Sequence, residues 1–212
     1  TVVPAPGSSG TVQVTTAVNS ATSVATYTVN AVPTISSQPS SGTQTICLNG
    51  AATALSVTAA AGSGTIQNYQ WFSNTSATTV GATLVATNTT AATTDTYMPL
   101  TTSTGTLYYY VIVTNSNGCT VTSGFTGAID INAPVVIATP PSITPQSACV
   151  GGAITALSVV ATGGGLGYQW YSNAVNSNVG GTLIVGETTS TYTPSNLSPI
   201  ATTYYYCVVS NG

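Results

Sequence analysis

No lysine, arginine or histidine occurs in the 212 residues of this chain. Only Asp95, Asp130 and Glu187 carry charge, for a formal net charge of −3. A surface without cations has nothing with which to neutralise phosphates, so DNA and RNA are excluded as partners. Attraction to anionic lipid headgroups fails for the same reason. No apolar run approaches the ~20 residues that a transmembrane helix needs, so membrane insertion is not expected. Thr1–Gly10 lack the charged and apolar stretches of a signal peptide, although both ends read as cut from something longer. The missing histidine also removes the usual general base and the usual zinc ligand. No Cys-x-x-Cys spacing is present either.

Those absences bear directly on chemistry. A cysteine nucleophile would have no imidazole to raise it to thiolate. The three acids are scattered, with no carboxylate pair and no oxygen-rich cluster for calcium, and each is expected to be solvated. Lysine–asparagine isopeptide staples are impossible without lysine. An enzyme, a metal site and a bound cofactor are therefore not expected. The sequons at Asn74, Asn88 and Asn196 are what chance gives in a chain rich in Thr, Ser and Asn.

What is present is a duplication. Thr53-Ala54-Leu55-Ser56-Val57 returns as Thr155-Ala156-Leu157-Ser158-Val159, and Tyr69-Gln70-Trp71 returns as Tyr168-Gln169-Trp170. Thr96-Tyr97-Met98-Pro99 returns as Thr191-Tyr192-Thr193-Pro194, and the triplet Tyr108-Tyr109-Tyr110 as Tyr204-Tyr205-Tyr206. Cys47 and Cys149 are 102 residues apart, as are Asn30 and Asn132. A period near 100 residues is one small β-sandwich per repeat rather than a short solenoid unit.

Strand signals dominate. Leu55–Thr58 and Tyr69–Phe72 alternate, and the segments 107–114 and 121–131 are rich in β-branched and aromatic residues. Between them lie turn sequences such as Asn115-Ser116-Asn117-Gly118. Prolines 33, 39, 134, 140, 141 and 145 gather at the junctions, where they favour semi-rigid linkers. With 42% hydrophobic residues, the chain can fill sandwich cores. The expected fold is all-β, as tandem antiparallel β-sandwiches. The expected domains are residues 1–32, the last strands of a preceding repeat, then 33–133, then 134–212, a repeat lacking its last strand.

The order Leu-x-Val, Tyr-Gln-Trp, Thr-Tyr-x-Pro, Tyr-Tyr-Tyr resembles immunoglobulin-like repeats. More narrowly, Ile46-Cys47-Leu48-Asn49-Gly50, Ala148-Cys149-Val150-Gly151-Gly152 and Asn117-Gly118-Cys119 resemble tandem modules of large secreted Bacteroidetes surface proteins, including gliding-type adhesins. The resemblance covers residues 34–212. It implies that Trp71 and Trp170 sit on strand C as core residues, with sugar stacking as the alternative reading. It also implies that Tyr109 and Tyr205 are structural strand-F tyrosines. Strand alternation then puts Tyr108, Tyr110, Tyr204 and Tyr206 on the outer face, as surface contact aromatics.

Repeat alignment sorts the four cysteines into three kinds. Cys47 and Cys149 are equivalent, Cys119 follows strand F with its counterpart just past Gly212, and Cys207 aligns with Val111 at an inward position. Cys207 reads as a buried free thiol. For the others, Cys47–Cys119 is the simplest pairing. A bond between adjacent repeats and Cys149–Cys207 are the alternatives, because Cα atoms must come within about 7 Å. Four cysteines in such a chain fit an oxidising, extracellular compartment.

Together these readings point to a structural or adhesive segment of an extracellular bacterial filament or stalk. The alternatives are a carbohydrate-binding or spacer module of a secreted polysaccharide-degrading enzyme, and a self-assembling fibre or sheath subunit. The expected partners are other repeats of the same chain, surface glycans or identical subunits.

Overall fold

The computed structural model describes residues 10–16, 18–152, 154–195 and 201–211. Thr1–Ser9, the Asn196 sequon and Gly212 lie outside them. The described residues form eighteen strands and no helix. In chain order these are β1 (Gly10–Thr15), β2 (Ser20–Tyr27), β3 (Thr34–Ser37), β4 (Gln44–Cys47), β5 (Leu55–Ala60) and β6 (Ile66–Asn74). Then come β7 (Thr83–Thr89), β8 (Thr94–Tyr97), β9 (Gly105–Asn115), β10 (Thr120–Thr122), β11 (Ile129–Asn132) and β12 (Val136–Thr139). The last six are β13 (Leu157–Ser158), β14 (Val160–Thr162), β15 (Leu166–Asn173), β16 (Thr182–Leu183), β17 (Thr191–Tyr192) and β18 (Tyr204–Asn211).

These gather into two compact units. One holds residues 1–44, 52–100 and 106–129, and the other holds 45–51, 101–105 and 130–212. Strands β1 and β2 form an antiparallel hairpin of their own. In the first repeat, a three-stranded sheet in the order β3-β5-β8 accompanies a sheet in the order β4-β11-β9-β6-β7, with β10 also on β9. This sheet pair follows from alternation. In β5 the residues Leu55, Val57 and Ala59 are buried while Ser56 and Ala60 face out. The pairing of β6 with β9 sets Trp71 opposite Val111 and Tyr69 opposite Val113, so four buried side chains share one face. A register shift between Trp71 and Phe72 marks a bulge on the other edge of β6, against β7.

The second repeat uses the same sequence signals in shorter pieces. The strand corresponding to β5 is broken at Val159 into β13, which pairs β17, and β14, which pairs β12. Strands β16-β15-β18 make the opposing sheet, with Trp170 opposite Cys207. Its core is Leu157, Val159 and Trp170, wrapped by Tyr168, Ile184, Tyr192, Tyr205 and Val209. The turn after β5 shows why glycine is needed there. Gly62 has φ 71°, and a Cβ on it would stand 2.2 Å from the Val32 carbonyl oxygen.

Trp71 and Trp170 are both 0% exposed and fill the centre of their cores. Trp71→Ala should therefore lower unfolding free energy by about 3–5 kcal/mol, as large aromatic truncations do. Chemical denaturation followed by tyrosine fluorescence and circular dichroism would check this. Trp170→Ala should destabilise the second repeat in the same way.

Candidate functional site

Each tryptophan belongs to an aromatic stack built twice. Trp71 stacks on Tyr97 at 5.9 Å between centroids, and Tyr97 leans on Tyr109 at 5.5 Å. Trp170 meets Tyr192 at 5.8 Å, and Tyr192 meets Tyr205 at 5.5 Å. Tyr109 is 2% exposed and Tyr205 half-buried. The two tryptophans and Tyr109 are thus buried, while Tyr205 is covered only in part. Tyr97 and Tyr192, the second members of the stacks, were not singled out, although Thr96-Tyr97 and Thr191-Tyr192 repeat.

The indole nitrogens are satisfied differently. Trp71 Nε1 donates to Asp95 Oδ2 at 2.7 Å, and Asn88 Nδ2 donates to both Asp95 oxygens at 3.0 and 2.9 Å. Trp170 Nε1 donates instead to the Thr189 carbonyl at 2.8 Å. Asp95 is thus not the solvated acid expected from sequence. It is a half-buried acceptor for a buried donor. Strand pairing aligns it with Val57, which carries it toward the core edge. The same contacts bear on the sequons. Asn88 is engaged with Asp95, and Asn74 Nδ2 donates to the Thr78 and Val80 carbonyls at 2.8 and 3.0 Å.

The outer-face tyrosines divide between the repeats. Tyr110, expected as a surface contact residue, is 4% exposed. It stacks on Phe72 at 5.1 Å and meets the edge of Phe125 at 5.4 Å. The segment from Ser123 to Thr126 closes over it, because Ser123 N and Thr126 N donate to the Val111 and Tyr109 carbonyls. Their hydroxyls accept from Val111 N and Tyr109 N in return. Tyr108 is half-buried. In the second repeat Tyr206 stacks on Tyr171 at 5.0 Å and is half-buried, whereas Tyr204 is 38% exposed. Among the described residues Tyr204 is the one aromatic side chain more than a third exposed. It borders a cleft of about 600 Å³ along β18, with Pro141, Ile143, Asn176, Asn178 and Cys207.

A second duplicated feature sits at the strand ends. Asn115 is 0% exposed, and its Nδ2 donates to the Ala31 and Ala61 carbonyls at 3.0 and 2.9 Å. Its Oδ1 accepts from Asn117 N and Cys119 N. Asn211 repeats the first contact, with Nδ2 on the Ala133 carbonyl at 3.0 Å. Sequence reading took Asn115 as a turn former. The signal that could have found its second role is its recurrence as Asn211 at the end of the matching strand.

All four cysteines are free thiols in this structure, so none of the pairings considered from sequence is formed. Cys47 and Cys149 are exposed and occupy the same turn, with Gly50 N on the Cys47 carbonyl and Gly152 N on the Cys149 carbonyl. Cys119 is half-buried, with Sγ 3.9 Å from the Asn30 carbonyl oxygen. Cys207 packs against the Trp170 core, and burial pushes its thiol up, opposed by the Gln169 backbone N–H. Asp95 lies on β8, Asp130 on β11 and Glu187 between β16 and β17, and no cluster of His, Cys, Asp or Glu among the described residues could hold a metal ion.

Fold and site together define immunoglobulin-like β-sandwich modules in tandem. A family model described as a domain of unknown function (DUF8696) matches residues 142–212. No curated protein matches. Among solved structures, the I-band fragment I67–I69 from titin aligns with 98% of this chain and 71% of its own, at 13% identity and a TM-score of 0.51. The titin domains Z1Z2 in complex with telethonin align at 16% identity, covering 84% of this chain and 82% of theirs, with a TM-score of 0.35. The I-band likeness shows the fold.

Removing the acceptor of a buried indole leaves that donor unsatisfied. Asp95→Ala should cost about 1–3 kcal/mol of stability in denaturant titration, and Asp95→Asn less. Alkali gives a second check. Burial, and next the Tyr97 phenol, push the Tyr109 phenol from 10.0 up to about 12. Tyr109 must stay neutral in the folded protein, so its contribution is fully present below about pH 10 and lost as pH climbs through 12. Denaturation midpoints should fall across that window, and Tyr109→Phe should flatten the fall.

Proposed function

We propose that this chain is a load-bearing segment of an extracellular filament or stalk on a bacterial surface, built from tandem immunoglobulin-like domains. The observation that carries the reading is the strand-end asparagine. In each repeat it ties the end of the tyrosine strand to the segment that leads into the same repeat, Asn115 to Ala31 and Asn211 to Ala133. A contact built twice at the point where the chain enters a sandwich is what a serial module needs, since tension arrives there first. The resemblance of the cysteine-bearing turns to Bacteroidetes surface modules supports the same reading, as does a surface of Thr, Ser, Asn and Gly in place of charge. Sugar stacking on the tryptophans loses its platform, since both indoles are sealed.

The reading is tested on the cells that make the protein. Antibodies raised against the folded chain should label intact, unpermeabilised cells, and surface shearing should release the antigen in long assemblies. Labelling only after permeabilisation would overturn the proposal.

A further inference from the structure

Cys47, which returns as Cys149, and Cys119 lie beside corresponding atoms of successive periods. Cys119 follows Asn115 by four residues, and its backbone N donates to Asn115 Oδ1 at 3.0 Å. Its Sγ lies 3.9 Å from the Asn30 carbonyl oxygen. The asparagine amide oxygen at the strand end and the carbonyl of the lead-in asparagine therefore frame this cysteine.

One period later the corresponding atoms are Asn211 Oδ1 and the Asn132 carbonyl. The correspondence is structural as well as sequential, because Asn115 and Asn211 make the same amide contact to Ala31 and Ala133. Both atoms, with Cys47, lie in the second compact unit. Cys47 Sγ donates to Asn211 Oδ1 at 3.5 Å, and Leu48 N donates to the Asn132 carbonyl at 2.8 Å. The pair of atoms that frames Cys119 in one period thus meets Cys47 and its neighbour Leu48 in the next. A cysteine placed four residues after Asn211, in the turn that follows Asn115, would have its amide on Asn211 Oδ1 and its sulfur beside the Asn132 carbonyl. Both landmarks bring it beside Cys47, where a disulfide needs the two Cα atoms within about 7 Å.

We propose that the cysteines bond across successive periods, each Cys47-type residue to the Cys119-type residue one period on. Cys119 then pairs with the Cys47-type residue of the period before, and Cys149 with the Cys119-type residue of the period after. Cys207, half-buried against the Trp170 core, takes no part. Each bond joins two sulfurs as two thiols give up two protons and two electrons to an oxidising disulfide, which is reduced to two thiols. The inference rests on the tandem-array reading and deepens it, since a covalent link would run beside every junction.

The experiment continues the chain after Gly212 with a copy of its own segment Asn117–Ala133, which restores the spacing from Asn115 to Cys119. The protein is refolded with reduced and oxidised glutathione, digested with chymotrypsin and mapped by mass spectrometry without reduction. The expected result is one crosslinked peptide pair, Cys47 with the added cysteine, and the loss of two titratable thiols. Cys47→Ser should leave the added thiol free, whereas Cys119→Ser should leave the bond intact. Pairing of the added cysteine with Cys119, Cys149 or Cys207, or its persistence as a titratable thiol in folded protein, overturns the proposal. Where the continued chain does not fold, Asn211→Cys in the 212-residue chain decides. Rapid oxidation onto Cys47 sustains the geometry, and two persisting thiols overturn it. Cell-surface labelling is independent of these readouts, so failure of the bond is distinguishable from failure of the stalk reading.

Discussion

In a chain with no cation, the polar groups that the strand ladders leave over are satisfied by amides, hydroxyls, the backbone and, at Trp71, one carboxylate. Gln44 bridges Thr53 through both its atoms, with Oε1 accepting at 2.7 Å and Nε2 donating at 3.1 Å. Gln146 does the same to Thr155. Asn74 closes its turn on Thr78 and Val80, and Asn173 closes its own on Ser177 and Val179. Asn115 and Asn211 hold the strand ends. Each amide offers donor and acceptor on one rigid plane, so it can reproduce a backbone pairing where the ladder stops. Buried groups left without such partners cost stability, and Asn68 Oδ1 is the exception among the described residues.

The same constraint explains where the repeats differ. A buried indole N–H needs an acceptor, and either a carboxylate or a backbone carbonyl serves. The first repeat uses Asp95, itself held by Asn88, and the second uses the Thr189 carbonyl. An ionised acceptor gives the stronger bond but must be desolvated without a counter-ion. Asp95 manages this by staying half-exposed while Asn88 donates to it. That is why one of the three charges in the chain sits against a core and has no partner in the other repeat.

The architecture was legible because it rests on alternation and repetition. Strand β5 buries every second residue, and the Tyr-Gln-Trp and Tyr-Tyr-Tyr signatures land on paired neighbouring strands in both repeats. The inward places of Trp71, Trp170 and Tyr109 follow from the resemblance to immunoglobulin-like repeats, with alternation setting Tyr109 on the face opposite Tyr108 and Tyr110. What alternation cannot show is what covers an outward residue. Tyr110 points away from the core, as its position requires, yet Phe125 and its segment close over it, a contact set by hydroxyls of Ser123 and Thr126. Asp95 was misread for a related reason, since a lone acid in a Thr-rich strand looks solvated until its cross-sheet neighbour is known. The asparagines were read as turn formers because local sequence reports the turn and not the distant carbonyl.

The division between repeated and unrepeated residues also bears on what kind of protein this is. Repeated residues occupy the aromatic stack inside each sandwich, the amide positions and the Cys47 and Cys149 turns at its ends, and one outer-face ring pair, Phe72 on Tyr110 and Tyr171 on Tyr206. The constraint on the ends falls where one period gives way to the next. In a serial array those are the places where force enters and leaves a domain. An amide clamp alone yields when its few hydrogen bonds yield together, whereas a bond between sulfurs at the same point would hold the ends in register after the clamp had opened.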